Sequence, residues 1–297
     1  MQKIIVTGAS GFIGQYVVDC LLEMGIQVIA VSRRKKVSLK DKCIPIIADI
    51  RKEQEVAEIF KQNKCCDGLI HLASDIDMVG SQKTIETNCL GTYYLAKYAV
   101  QHKLKFFINI SSIPVIGKPI HIPIDEKHPV HPRTLYHITK LAGEQIVDNV
   151  CSKYMNTLNF RISSPIGRKM NRKNYLSVLL DKCNSGEEIE VYGQGLRKQN
   201  YIDVRDIVQA IVCGISVQKS GLYLIAGNHS IANRELAMLC KKITGSNSKL
   251  IFGGREDPEE ADQWEIANEK AKTILGFNPR FSICDSIAWI CDEMKEA

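Results

Sequence analysis

The fold of this chain is indicated near its beginning by the stretch Val6-Thr7-Gly8-Ala9-Ser10-Gly11-Phe12-Ile13-Gly14. An apolar run at 4–6 precedes the three glycines, and an apolar-periodic segment at 12–23 follows them. Strand, glycine turn and helix in that order are typical of a dinucleotide site. The glycines allow a tight turn, close approach of a pyrophosphate and close packing of the helix on its strand. A glycine-rich turn without a ligand is the alternative.

Composition places the chain among soluble globular proteins. It has 297 residues, of which 45% are hydrophobic and 24% are charged, which suits one large or two small domains. The net charge of +6 is modest and spread along the chain, so it does not indicate a nucleic-acid partner. No apolar run approaches the roughly 20 residues of a membrane span, and no leader pattern opens the chain. We therefore expect a cytoplasmic protein without a membrane partner.

Cysteine and histidine do not indicate a metal site. The eleven cysteines are scattered and form no C-x-x-C pair, so we expect reduced thiols. Four histidines crowd one proline-rich stretch, at positions 121, 128, 131 and 137. That stretch does not suggest the fixed geometry that a metal requires, so we expect none.

Strands and helices alternate through the first half of the chain. Strands are predicted at 3–7, 27–32, 44–48, 68–73, 105–110 and 157–161, and helices at 14–24, 53–62, 81–102 and 135–154. This alternation predicts a doubly wound parallel Rossmann sheet with its ligand at the carboxyl ends of the strands. Further on, helices are predicted at 233–244, 267–275 and 282–295, and a strand at 250–252.

The end of the second strand bears on the choice of cofactor. An acid about 20 residues after the glycine turn would bind the adenosine ribose of NAD, but this chain has Ser32, Arg33 and Arg34 there. Two guanidiniums suit a 2′-phosphate, which favours NADP(H) over NAD(H). A solvated basic loop is the alternative. Asp49, after the third strand, either holds the adenine edge or is a solvated turn residue.

The chemistry candidate is the segment Tyr136-His137-Ile138-Thr139-Lys140. Residues four apart on a helix share one face, so the Lys140 ammonium would lie near the Tyr136 phenol and lower its pKa. Tyr136 would then act as an acid and base. Tyr93 and Lys97 have the same spacing, but only Tyr136 follows a serine pair, Ser111-Ser112, at the end of a strand.

These motifs together resemble the extended short-chain dehydrogenase/reductase family, in its nucleotide-sugar epimerase/dehydratase branch. The resemblance rests on the glycine turn, the segment 71–73, Asn88 with the Gly91-Thr92 pair, the serine pair and Tyr136 with Lys140. It covers essentially the whole chain. It implies a smaller mixed α/β substrate domain, mainly at 164–297, beside a dinucleotide-binding domain at 1–163 to which segments about 199–219 and 263–280 return.

The resemblance also implies roles for individual residues. Tyr136 exchanges a proton with a sugar oxygen, Lys140 holds the nicotinamide ribose, and Ser112 polarises the substrate. The implied cofactor contacts are Gly8, Ser10, Gly11, Phe12, Ile13, Gly14, Ser32, Arg33, Arg34, Asp49, Ile50, Leu72, Ala73, Ser74, Asn88, Tyr136 and Lys140. The implied substrate contacts are Ser111, Ser112, Ser164, Arg168, Arg197 and Gln199.

Two departures from the family pattern bear on function. Ile113-Pro114 follows the serine where a 4,6-dehydratase has an Asp-Glu pair, so dehydration is disfavoured. Gln199 stands where the family usually has an arginine that binds nucleotide phosphates. Arg197, Lys198 or Arg168 would take over that contact, although each also suits a surface position.

Two enzymatic outcomes share this machinery, and the substrate of both is a nucleotide-diphosphate sugar. NADPH-dependent reduction of a 4-keto sugar is the favoured prediction, because the acid after the second strand is absent. The alternative is a 4-epimerase with tightly bound NAD(P). A non-catalytic dinucleotide sensor is the third hypothesis. The resemblance further implies a homodimer through the helices at 81–102 and 135–154.

Overall fold

A sheet of seven parallel strands forms the centre of the protein. The structure is a computed structural model that describes residues 2–33 and 42–296. The order across the sheet is β10-β6-β5-β4-β1-β2-β3. The strands of the chain are β1 (Lys3–Thr7), β2 (Gln27–Ser32), β3 (Cys43–Ile47), β4 (Gly68–His71), β5 (Phe106–Ser112), β6 (Asn156–Ile162), β7 (Ser164–Ile166), β8 (Ile189–Val191), β9 (Lys198–Asp203), β10 (Gly221–Ile225), β11 (Ser230–Ala232) and β12 (Leu250–Phe252).

Helices cover both faces of this sheet, as the alternation of strands and helices predicts. They are α1 (Phe12–Glu23), α2 (Glu53–Gln62), α3 (Gln82–Ile85), α4 (Gly91–Gln101), α5 (Leu135–Cys151), α6 (Tyr175–Ser185), α7 (Val204–Val217), α8 (Asn233–Thr244) and α9 (Ile283–Glu296). One apolar core lies between the sheet and helices α1 and α7. A second lies between the sheet and helices α2, α4 and α5. The doubly wound α/β prediction is confirmed.

The strand order places the predicted ligand site. It reads 3-2-1-4-5-6 over the first six strands, so the order reverses between β1 and β4, which are neighbours. In open α/β sheets, ligands bind at the carboxyl ends of the strands at this reversal. The glycine turn follows β1, and Leu72 and Ala73 follow β4. Both segments therefore reach the expected site.

A smaller unit packs around its own core. The sheet β11-β9-β7 and the strand pair β12-β8 belong to it, and helices α6, α8 and α9 contribute apolar side chains such as Leu176, Leu236 and Ile287. Strand β10 joins the large sheet beside β6. The division into domains at 163/164 stays a proposal, and 221–225 would be a further returning segment.

Several element boundaries differ from the sequence prediction. The helix predicted at 81–102 is interrupted by a π-helix at Glu86–Leu90, which separates α3 from α4. The helix predicted at 267–275 is mainly a π-helix at Ala271–Leu275. Helices α6 and α7 were not predicted. Across the described ranges, no helix has the length and apolar character that crossing a membrane requires.

Candidate active site

The glycine turn is shaped to receive a pyrophosphate. Gly8 has a φ of +69°, and a Cβ there would lie 2.7 Å from the backbone nitrogen of Ala73. A Cβ at Gly14 would lie 2.1 Å from the carbonyl oxygen of Gly8. Helix α1 begins after Gly11 without a side-chain cap and carries no acidic residue in its first turn. Its first N–H groups are therefore open to an anion, so the residues present fit a dinucleotide.

A buried histidine ties the turn to the strand beside it. His71 Nδ1 lies 2.7 Å from the hydroxyl of Thr7, and Nε2 lies 2.9 Å from the hydroxyl of Thr92. Burial, with a smaller effect of the Lys140 charge, lowers the pKa of His71 to about 3. A neutral imidazole therefore holds the ends of β1 and β4 together directly under the turn.

Of the arginine pair predicted at the adenosine end, only Arg33 lies within the described residues. Ser32 is buried and Arg33 is exposed, whereas Arg34 lies outside the described residues. Hydrogen bonds from Arg51, and more weakly the charge of Arg33, hold the pKa of Asp49 below its usual range. Burial raises the pKa of Asp75, but its contacts with Lys83 and Thr84 and the charge of Arg33 outweigh burial and lower it. The charge of Arg33 thus acts weakly on two carboxylates, and their negative charge disfavours a 2′-phosphate beside them.

Asp49 is already engaged by the protein. Its carboxylate accepts bonds of 3.0 and 2.5 Å from Nε and Nη2 of Arg51. The predicted adenine contact of Asp49 therefore competes with a bidentate ion pair. Ile50 is buried.

The proposed catalytic residues come from two neighbouring elements. Ser112 ends β5 at the carboxyl edge of the sheet, and its hydroxyl has no hydrogen-bond partner among the described residues. Tyr136 lies in the first turn of α5, which Thr134 caps by accepting the His137 N–H. Lys140 follows one turn later and is buried. Strand end and helix start thus present these groups at the same edge of the sheet.

The Tyr136 phenol is protonated at neutral pH in this structure. Burial raises its pKa to about 12, and the hydrogen bond with Ser74 offsets this only in part. The sequence predicted a pKa lowered by Lys140, and that expectation is wrong for the protein without its cofactor. The physical reason is that burial penalises the phenolate more than its surroundings stabilise it.

Lys140 is a buried ammonium without a direct partner. Burial lowers its pKa to about 8, and Glu144, one turn further on, opposes this. Among the described residues, the ammonium makes neither a hydrogen bond nor an ion pair. Because an unpaired buried charge is costly, the position is suited to a ligand that supplies oxygen acceptors, such as ribose hydroxyls.

Ser111 is turned away from the cleft. Its hydroxyl donates to Glu144, whose carboxylate also accepts bonds of 2.9 and 2.7 Å from Nε and Nη2 of Arg161. All three side chains are buried. The predicted substrate contact of Ser111 is therefore replaced by a structural one, because its hydroxyl completes a buried ion pair.

Asn88 positions its neighbours and has no free group of its own. Its carbonyl oxygen accepts from the Ser74 hydroxyl and the Asp75 N–H, and its amide donates to the Asp75 carbonyl and the Thr139 hydroxyl. Asn88 lies in the π-helix at Glu86–Leu90. It thus fixes Ser74, which contacts Tyr136, against helix α5.

Tyr93 and Lys97, the second pair with the same spacing, lie on the outer surface. Tyr93 is 42% exposed, and the Lys97 ammonium lies 2.7 Å from Glu53. Neither residue reaches the edge of the sheet that carries the glycine turn.

A cleft of about 220 Å³ is lined by Ile113 and His137, the residues that directly follow Ser112 and Tyr136 in the chain. Its walls come from the segments after β5 and β6, the start of α5 and the smaller unit. They are formed by Ile113, Pro114, Gly117, Arg133, Thr134, His137, Ser163, Ser164, Arg197, Gln199, Asn200, Glu259, Trp264 and Ile266. The predicted substrate residues Ser164, Arg197 and Gln199 are among them.

Arg168 and Lys198 are engaged elsewhere. Arg168 Nε donates to the carbonyl of Trp289 at 2.8 Å, and its guanidinium lies 5.0 Å from the centre of the Trp289 ring. Lys198 pairs with Glu265 at 3.0 Å. Of the basic residues predicted to replace the family arginine, Arg197 is the one that lines the cleft.

Sequence reasoning missed Ser163 and His137 as cleft residues. Ser163 is buried, yet its hydroxyl has no partner among the described residues. It follows Ile162, which pairs with Ser112 across β5 and β6, so the two serines end adjacent strands. The position of Ser163 directly after a strand was the available signal. His137 Nδ1 lies 2.8 Å from the Thr134 hydroxyl, and burial lowers its pKa.

Comparisons with known proteins agree with this geometry. A model of the NAD dependent epimerase/dehydratase family matches residues 4–226. UDP-glucose 4-epimerase of Halalkalibacterium halodurans is 27% identical over 97% of this chain and 95% of that protein. dTDP-glucose 4,6-dehydratase of Streptomyces niveus is 26% identical over 96% of this chain and 90% of that protein. A solved structure of UDP-glucose 4-epimerase from Thermotoga maritima has a TM-score of 0.91 at 22% identity over 99% of each chain, a likeness of fold.

Proposed function

The chain belongs to the NAD-dependent epimerase/dehydratase family, and from this premise we propose that it is a nucleotide-sugar 4-epimerase with tightly bound NAD. It is an enzyme of the short-chain dehydrogenase/reductase type, as its relatives are. The observation that carries the proposal is a half-buried Tyr136 with a buried Lys140 one turn later on α5, next to a cleft whose wall after Ser112 is apolar. Apolar Ile113 and Pro114 offer no acid or base for removal of water.

The glycine turn and Lys140 are the residues that would hold NAD. The open N-terminus of α1 suits the pyrophosphate, and the unpaired ammonium suits ribose hydroxyls. When bound, NAD supplies a hydride acceptor and a positive ring that favours the Tyr136 phenolate. The site therefore suits oxidation of an alcohol and its reversal.

Tyr136 moves the proton in this proposal. Its phenolate takes the proton of the sugar 4-hydroxyl as C4 becomes a carbonyl carbon, and its phenol returns that proton when C4 is reduced on the opposite face. Ser112 donates a hydrogen bond to the same oxygen. Ser74, held by its hydrogen bond to Asn88, favours the phenolate form of Tyr136. Because proton and hydride both return to the sugar, no cofactor is consumed.

In this proposal the cleft has to bind the sugar ring in two orientations, because the ring rotates between oxidation and reduction. The Ser163 hydroxyl and the neutral His137 ring supply polar contacts beside apolar walls such as Ile113 and Trp264. Contacts of this kind bind either face of a hexose without fixing it rigidly. The substrate class is a nucleotide-diphosphate hexose, and UDP-glucose is the first candidate because it names the enzyme of the relative from Halalkalibacterium halodurans.

The NADPH-dependent ketoreductase that the sequence favoured finds no support. That preference rested on Arg33 and Arg34, but the family is described as NAD dependent. The charge of Arg33 also acts on the carboxylates of Asp49 and Asp75. NAD is therefore the proposed cofactor, and the arginines are left without a 2′-phosphate to bind.

A homodimer is part of the proposal. Helices α4 and α5 pack side by side, and exposed apolar side chains lie at Tyr93 on α4, at Ile138 on α5 and at Leu90 directly before α4. A second copy of the same face would cover them, as closed two-fold symmetry allows.

Acid release of the cofactor tests the proposal. Purified protein should yield NAD(H) and should interconvert 4-epimeric nucleotide hexoses without added cofactor. Tyr136→Phe should retain the bound cofactor and lower kcat by about 10²- to 10⁴-fold, the usual contribution of a positioned acid/base. Empty protein that turns over a 4-keto sugar only with NADPH would instead establish the ketoreductase.

A further inference from the structure

One carboxylate bridges two arginines across the cleft. Glu259 Oε2 lies 2.7 Å from Nη2 of Arg197, and Oε1 lies 3.4 Å from Nη1 of Arg133. Arg133 precedes helix α5 on one wall, whereas Arg197 precedes strand β9 on the other. Two guanidiniums on facing walls thus converge on a single acceptor group.

The arginines have more donors than the protein satisfies. Arg197 Nε is buried and has no hydrogen-bond partner among the described residues. Asp257, the other carboxylate near Arg197, lies 3.8 Å from Nη1, beyond hydrogen-bond distance. Arg133 is half exposed and meets only one oxygen of Glu259. A guanidinium offers five donors in a planar fork, so acceptors are missing at this point of the cleft.

We propose that Arg133 and Arg197 bind the diphosphate of the nucleotide sugar, and that this diphosphate displaces Glu259. The inference rests on the proposed function for the identity of the ligand. Arginine forks bind phosphate oxygens two at a time, and a diphosphate spans two such forks. Glu259 occupies the same donors, so it stands in for the anion until the substrate arrives.

The other basic side chains that the sequence offered cannot make this contact without breaking their own. Arg168 is held by Trp289, and Lys198 is held by Glu265. Gln199, where the family usually has arginine, donates to Asn233 at 2.9 Å and carries no charge. Arg133 and Arg197 are therefore the cationic side chains on the cleft wall.

Displacement of Glu259 is required by charge and allowed by the backbone. A diphosphate beside a retained Glu259 would place like charges in contact, which disfavours binding. Glu259 belongs to the segment 253–262, which forms neither helix nor strand. The carboxylate is also 39% exposed, so it can turn into water and regain its hydration.

Calorimetric titration of the purified, cofactor-loaded protein tests the proposal. UDP, dTDP, GDP and CDP are each compared with their monophosphates. We expect Arg133→Ala and Arg197→Ala each to weaken binding of the preferred diphosphate about tenfold or more, in the range of a charged hydrogen bond. Glu259→Gln should strengthen it about threefold to tenfold, because the competing charge is gone. Glu256→Gln, on the same segment and exposed, and Arg172→Ala, outside the cleft, should leave the affinity unchanged.

Unchanged or weaker diphosphate binding by Glu259→Gln would overturn the displacement, and so would failure of the wild type to bind any of the four diphosphates. If Arg197→Ala unfolds, Arg197→Lys keeps the charge and loses the fork, and wild-type affinity in that variant would overturn the contact. The titration needs no turnover. An inactive protein whose diphosphate affinity depends on both arginines would therefore refute the epimerase and keep this site. An active epimerase whose diphosphate affinity depends on neither arginine would refute this site and keep the epimerase.

Discussion

At the scale of single residues, the site is defined by polar groups that the protein leaves without partners. Ser112, Ser163 and Lys140 all lie at the carboxyl edge of the sheet, and none has a hydrogen bond from its side chain within the described residues. Buried polar groups are normally satisfied, so such groups in one place indicate a ligand. Sequence could place Ser112 and Lys140 there through their motifs. For Ser163 it offered only the position after a predicted strand, because a hydroxyl without a partner becomes visible only once the surrounding chain is folded.

Ser163→Ala should affect substrate binding and leave stability intact. We expect KM for the nucleotide hexose to rise about threefold to tenfold, the effect of one neutral hydrogen bond. The free energy of unfolding should stay equal or increase, because the hydroxyl has no partner to lose. Steady-state kinetics measure KM, and urea unfolding measures the free energy of unfolding. Ser216→Ala, on the exposed side of α7, serves as the control, and an unchanged KM in Ser163→Ala would remove Ser163 from the substrate site.

Lys140→Met should stabilise the cofactor-free protein while abolishing turnover. The folded protein holds the Lys140 proton more weakly, with a pKa of about 8 against 10.5 in the unfolded chain. At pH 7 both states are protonated, and the lowered pKa corresponds to a cost of about 3 kcal/mol. As pH rises from about 8 to about 10.5, only the unfolded chain keeps the proton, so wild-type stability increases relative to the variant. Urea unfolding across this range should show the gap closing, whereas a gap independent of pH would contradict the buried charge.

At the scale of elements, the parallel sheet and most helices follow from hydrophobic pattern. Strands β1 and β2 and helices α2 and α8 have the predicted bounds, because uninterrupted apolar runs and amphipathic spacing determine them locally. The π-helix at Glu86–Leu90 does not follow from pattern. It places Asn88 so that its amide meets both the turn at Ser74 and helix α5, a tertiary requirement that local sequence does not show.

The C-terminal helix is fixed to the rest of the protein by an arginine held between two rings. The Arg205 guanidinium lies 3.6 Å from the centre of the Phe281 ring and 3.9 Å from that of Trp289, which also meets Tyr16 of α1. Trp289→Ala should lower the free energy of unfolding by about 2 kcal/mol through lost cation–π and apolar contact. Trp289→Phe, which keeps an aromatic face, should cost less than half as much. If the two variants lose the same free energy of unfolding in urea, the ring contact with Arg205 contributes nothing to stability.

At the scale of the whole molecule, we expect a homodimer through helices α4 and α5. Sedimentation at micromolar concentration should give a dimer for the wild type. The double variant Tyr93→Glu and Ile138→Glu should be a folded monomer, because it places charge on the exposed apolar face. Met238→Glu, an equally exposed apolar site on α8, should remain dimeric. A monomeric wild type would remove the dimer from the proposal.

Whole-molecule function was only partly accessible from sequence. Motif order gave the family and the enzyme class, because the glycine turn and Tyr136 with Lys140 depend on short spacings. The NADP(H) preference is not supported, and the charges of Asp49 and Asp75, which come under the influence of Arg33 in the fold, are not evident from the sequence around Arg33. Unlike the short spacing within a motif, electrostatic effects between residues far apart in the chain cannot be deduced from neighbouring residues in the sequence.

Isotope labelling tests whether oxidation and reduction take place at one and the same sugar carbon. The measurement follows a nucleotide hexose carrying deuterium at C4, beginning with UDP-glucose, by NMR in ordinary water without added cofactor. The account predicts the 4-epimer with deuterium still at C4, because the hydride returns to the carbon it left. Deuterium found at C6 of a 4-keto-6-deoxy product, or turnover only after addition of NADPH to a 4-keto sugar, would contradict it.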